Sequence, residues 1–270
     1  MLDAKAFRWL PWVLAAASGA AQAQLNDSGQ VRCYNATAIT GTVSVATPAP
    51  ADAGFEEQDC TRGRDTAAAL GQLTKLGAGA AGFDFSKIAN DGSDLPAGAA
   101  LGTDPADWGC TRDNVTGLMW EVKTNDNGLR DKDHSYVWYD ANTTINGGDS
   151  GPVGGNSCNG TLPAGQCNTS AYVAAVNALA GSNRLCGHTD WRMPTGQELQ
   201  SIAHYGATAA PYIDVAYFPN TTSPFAFYWS GVTVASFAQN AWYLSYDDGG
   251  LLSTNGKQIA GQVRLVRGAP

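Results

Sequence analysis

Positive charge is scarce in this 270-residue sequence: 16 lysines and arginines stand against 24 acidic residues, for a formal charge of −8 at pH 7. Nucleic acids and anionic membrane surfaces are bound through basic patches that release counterions, so neither is expected as a partner. Histidine is rarer still, with 3 scattered residues, and neither a C-x-x-C pair nor an H-E-x-x-H motif occurs. The ligand spacings of structural and catalytic zinc are therefore missing. Beyond the N-terminal region no apolar run approaches the roughly 18 residues that span a bilayer, which argues against a transmembrane segment.

What the N-terminus does contain is a pattern for export. Residues 1–23 carry Lys5 and Arg8, an apolar run over residues 9–17, and Ala21-Gln22-Ala23 as an A-x-A cleavage site. This predicts a secretory signal peptide cut near Ala23, with no cysteine beside the cut to carry a lipid. Its removal takes away Asp3, Lys5 and Arg8, a net +1, and moves the charge from −8 to −9. The mature protein is expected to be secreted, periplasmic or at the cell surface. All 6 cysteines lie in that exported part, and an even count in an oxidising compartment predicts three disulfides. Six cysteines allow 15 pairings. Cys33 with Cys60 and Cys158 with Cys167 would close short polar loops, and Cys110 with Cys186 would tie an early strand to the densest motif of the chain.

Residues 24–107 read as an irregular, loop-rich N-terminal extension with short strands: weak alternation over 30–45, a proline loop over 47–54, and an alanine-rich helix over 66–70. A half-buried strand over 82–88 and a joining loop over 90–107 complete it. Patterning sharpens in residues 108–270. Leu118, Trp120 and Val122 alternate with Met119, Glu121 and Lys123, predicting a strand with one apolar face. Thr169 or Ser170 caps a helix bearing Tyr172, Val173, Val176 and Leu179. Strands are predicted over 227–232, 241–246, 251–254 and 263–267, with Asp247-Asp248-Gly249-Gly250 as a hairpin turn. Two helices among antiparallel strands make an α+β domain.

The densest stretch runs from Cys186 to Leu199. Thr195 and Glu198 have the spacing of a capping box, in which a hydroxyl and a carboxylate satisfy the first amides of a helix, and Pro194 directs the incoming chain. Trp191 and Arg192 read as a buried ring beside a cation that needs a carboxylate. With Trp120, Glu121 and Asp190 these residues are expected to build the domain.

Five stretches carry a resemblance to a known family: Asn114-Val115-Thr116-Gly117-Leu118-Met119-Trp120-Glu121, Asp190-Trp191-Arg192-Met193-Pro194-Thr195 with Glu198-Leu199, Tyr217-Phe218-Pro219, Tyr228-Trp229-Ser230, and Val263-Arg264-Leu265-Val266-Arg267. In that order they resemble the Lcl C-terminal domain family, named for the C-terminal domain of a collagen-like bacterial adhesin, with Met193 where the family usually has leucine. The resemblance implies a C-type-lectin-like fold shared with formylglycine-generating enzymes, and a secreted or cell-surface setting. No collagen-like Gly-X-Y tract is present.

Candidate sites follow from residue chemistry. Tyr212, Tyr217 and Phe218 lie in an aromatic loop suited to stacking on a sugar ring, and Arg264 and Arg267, with Arg192, could form an anion patch. Asp126, Asp131 and Asp133 offer the oxygen ligands of calcium, although not at EF-hand spacing; no other cofactor is expected. Glu121 and Glu198 are the carboxylates available for glycoside hydrolysis, but nothing in the sequence brings them within the roughly 5–10 Å that chemistry needs. The thiol pair of formylglycine-generating relatives has no counterpart after Cys186. The expectation is a non-catalytic secreted or surface binding module for a glycan or protein ligand, with adhesion as a candidate role. A structural component of the bacterial envelope ranks second, and an enzyme of formylglycine-generating-like fold third.

Overall fold

The structure is a computed structural model that describes residues 27–30, 32–33, 43–44, 63–222 and 226–268. The expected signal peptide lies outside those residues, as does Cys60 and with it the expected Cys33–Cys60 bridge.

Strands β1 (Arg32–Cys33) and β2 (Val43–Ser44) pair antiparallel where weak alternation predicts one or two strands. The alanine-rich segment forms α1 (Arg64–Ala69), tied to residue 82: Asp65 accepts the Gly82 amide at 2.7 Å and Arg64 Nε donates to the Gly82 carbonyl at 2.9 Å. Then come β3 (Phe85–Ala89), β4 (Asp94–Leu95), β5 (Trp108–Asp113) and β6 (Met119–Glu121). In the β5–β6 turn Asp113 accepts the Val115 amide and the Thr116 hydroxyl, and Gly117 adopts φ 75°, a conformation costly for any residue with a Cβ. Helices α2 (Thr169–Asn177) and α3 (Gly196–Gln200) follow, then β7 (Tyr228–Val234), β8 (Phe237–Ser245), β9 (Leu251–Gly256) and β10 (Val266–Arg267).

The larger sheet has the order β10-β6-β5-β3-β4 and the smaller β7-β8-β9, antiparallel throughout, so the fold is α+β. The larger sheet crosses the 107/108 division expected from the sequence, because β3 pairs along β5 from Phe85↔Asp113 to Ala89↔Trp108. Residues 90–107 contain β4, and the buried Asn90 side chain holds them by donating to the carbonyls of Gly102, Asp104 and Asp107.

Strand β6 departs from its expected one-sided burial. Leu118 and Trp120 pack with Phe83, Phe85, Leu199 and Phe218, while Met119 turns into a second cluster with Tyr172, Val176, Trp191 and Leu265. The second face is roofed by α2, so Glu121 and Lys123 are buried as well. The α2 cap is Asn168, which accepts the Ala171 amide at 2.8 Å; the hydroxyls of Thr169 and Ser170 donate instead to the Tyr139 carbonyl. Two of the expected disulfides are formed, Cys110–Cys186 and Cys158–Cys167, with Cα separations of 6.3 and 5.7 Å.

Candidate functional site

Thr195 and Glu198 close the capping box of α3: Thr195 Oγ1 accepts the Glu198 amide at 3.1 Å and Glu198 Oε2 accepts the Thr195 amide at 2.7 Å. The same carboxylate takes Arg192 with two prongs, at 2.8 and 2.7 Å. Burial works to raise the Glu198 pKa, but the Arg192 and Thr195 hydrogen bonds outweigh it and hold the carboxyl below its ordinary value. Asn177 of α2 clasps the Trp191 backbone from both sides, and the Pro194 carbonyl accepts the Gly231 amide of β7 at 2.7 Å. Arg192 and Val266 form an antiparallel bridge. The motif therefore joins α2, α3, β7 and β10.

Beneath α2 lies a polar cluster walled off from water. Lys123 Nζ donates to Glu121 Oε1 at 3.0 Å and to Tyr172 Oη at 2.9 Å, and the Tyr172 hydroxyl donates to Glu121 Oε1. Glu121 Oε2 accepts the Leu265 amide at 2.9 Å. Burial lowers the Lys123 pKa and raises that of Tyr172. Arg264, fully buried, donates to the Glu121 carbonyl and to Thr221 Oγ1 and lies over the rings of Phe218 and Tyr228. Sequence patterning missed Lys123 because it occupies a strand position that alternation assigns to solvent.

Above α2 a cleft of about 400 Å³ opens between the helix, the 138–145 segment and the strand-linking motif. Trp138, Val173, Ala174 and Met193 supply apolar walls, Ile145 stands 50% exposed at the mouth, and Asp140 and Arg192 are its charged members. Lys257 fixes the outer wall: its ammonium donates to the carbonyls of Asn146 and Asp149 and sits 4.0 Å above the Trp138 ring. Val173, one of the apolar positions expected on α2, packs on the second cluster and also lines this cleft.

The residues expected to recognise a ligand are not gathered here. Tyr217 and Phe218 pack on Phe85 in the core, so the expected stacking platform is corrected to a core plug; Tyr212 is half-buried, its backbone bonded to Tyr246 and His204. The anion patch is corrected too, because Arg192 serves Glu198, Arg267 pairs with Asp190 at 2.7 Å, and Arg264 is buried. Asp131 accepts the amides of Asp126, Asn127 and Asp133, Asp126 accepts the Thr124 hydroxyl, and Asp133 pairs with Lys132. These carboxylates organise a turn; among the described residues no group of three or more His, Cys, Asp or Glu side chains could hold a metal ion. Glu121 and Glu198 each serve a different cation, Lys123 and Arg192.

A disulfide-linked α+β module with a capping-box motif at its centre is the class these features define. The sequence model of the Lcl C-terminal domain matches residues 109–267, and the chain belongs to that family. The family points to a surface or secreted module, and the two disulfides fit an extracellular setting. No helix among the described residues is long and apolar enough to cross a membrane. No curated protein matches the chain.

Proposed function

We propose that this chain is an exported, non-catalytic binding module with a C-type-lectin-like architecture, and that it takes a glycan or protein ligand in the cleft beside α2. The observation that carries this reading is a contrast between two places. The ionisable groups near the centre are paired off, Glu121 with Lys123 and Glu198 with Arg192, whereas the cleft that Arg192 and Asp140 border offers mainly apolar walls. That is the make-up of a recognition pocket rather than of an acid–base centre.

The test is a glycan array run beside a pull-down from envelope extract, with the parent and with Val173→Glu and Ile145→Ser. Ile145 is half exposed, so the Ile145→Ser melt should match the parent, whereas Val173 also packs on the edge of the second apolar cluster and Val173→Glu should lower the melt while leaving the fold intact; the retained ligand should be lost in both. Retention unchanged in both variants would place recognition elsewhere and favour a purely structural component of the envelope.

A further inference from the structure

Sheet edges expose unpaired backbone groups, and natural proteins blunt them with short strands, charge, proline or a covering segment. Three of the four edges of the two larger sheets are treated in this way. Strand β4 has two residues, bears Asp94 paired to Arg112, and runs into Pro96. Strand β10 also has two residues and is bridged by Arg192. The outer edge of β7 is covered, since Trp229 donates to the Gln262 carbonyl, Gln262 to the Phe227 carbonyl, and Gly231 to the Pro194 carbonyl.

Among the described residues the outer edge of β9 has none of these devices. Its six residues, Leu251–Gly256, hold no charge and no proline, and the register with β8 runs unbroken from Ser245↔Leu251 to Asn240↔Gly256. The Lys257 amide donates to the Gln239 carbonyl, which sets the phase of the ladder: Leu251, Ser253 and Asn255 bond to β8, and Leu252, Thr254 and Gly256 face outward. Gly256 is already satisfied, its amide by Asn255 Oδ1 and its carbonyl by the Ile259 amide. The amides and carbonyls of Leu252 and Thr254 have no partner among the described residues.

We propose that this edge is an interface at which β9 of a second copy pairs antiparallel about a twofold axis at Ser253. In that register Leu252 of one copy exchanges backbone hydrogen bonds with Thr254 of the other, and the reverse, so every open group on the edge is used. Charge selects the place. Two chains that each carry −8 repel, and an uncharged strand is where their backbones can approach. The same register sets Asp248 opposite Gln258, so no acidic residue of the flanking turn meets another. Leu251, 54% exposed at the end of the strand, adds apolar area to the contact.

Light scattering after size exclusion tests this on the full chain. The parent should run at twice the mass of one chain. Thr254→Pro removes an outward amide and leaves the β8 ladder intact, so the mass should halve while the circular dichroism and the melt of the monomer are retained. Ser253→Lys and Ser253→Glu each place like charges across the axis and should each be monomeric, and mixing the two should restore the doubled mass. A monomeric parent overturns the proposal. So does a dimer that survives Thr254→Pro and both charge variants, because it must use another face.

Discussion

At the scale of single residues the most informative group is Lys123, a cation with no route to water. Its charge is balanced by Glu121, the last residue of β6 two positions earlier, and steadied by the Tyr172 hydroxyl from α2. A buried pair of this kind gives little net stability compared with apolar residues of equal volume, but removing one partner strands the other. Glu121→Leu is therefore expected to cost about 3–5 kcal/mol, and Lys123→Met a similar amount. The double variant Glu121→Leu/Lys123→Met should recover most of the loss. Urea unfolding of the four proteins gives the coupling directly, and additive losses would mean that the two charges are not each other's main support.

At the scale of elements, α3 is only five residues long and is a poor helix on its own. It persists because Glu198 makes the capping box and binds Arg192 with the same carboxylate. Glu198→Ala should cost about 2–4 kcal/mol, combining a lost cap with a lost charged hydrogen bond. The pH dependence has a definite sign. Glu198 is held below its unfolded value, so its contribution is fully present above the ordinary glutamate pKa of about 4.3 and is lost as pH falls through the lower folded value. Glu198→Gln should flatten that part of the acid limb in a melt-versus-pH series; an unchanged limb would assign acid sensitivity to Asp84, Asp131 and Asp190, whose carboxyls are also held low. This helix start was legible because a capping box is local, as were α1, the 247–250 turn and the β8–β9 hairpin. Burial of Tyr217, Phe218 and Arg264 was not, because an aromatic loop reads alike whether it faces a ligand or folds onto its own sheet. The cleft was invisible for the same reason: its walls come from residues 138–145, 169–174, 192–193 and 231, which only the tertiary fold brings together.

At the scale of the whole molecule, the two disulfides do unequal work. Cys110–Cys186 spans 76 residues and ties β5 to the segment that leads into Trp191, whereas Cys158–Cys167 spans 9 and closes a local excursion. Chain entropy alone assigns about 4.5 kcal/mol to the long loop and about 2.6 kcal/mol to the short one. The long one also fastens α2's partner Trp191 to the larger sheet, so its loss should loosen the motif that joins both sheets. Cys110→Ala/Cys186→Ala is accordingly expected to lower the urea midpoint of the whole domain. Cys158→Ala/Cys167→Ala should lower it less and should raise hydrogen exchange mainly at residues 155–167. Equal midpoints for the two double variants would mean that the hydrogen bonds of Asn177 and Arg192, not the bridge, hold the motif in place. The same logic bears on export: made where thiols stay reduced, the chain would lose both contributions together, and a fold with a margin of about 5–15 kcal/mol leaves little room for that.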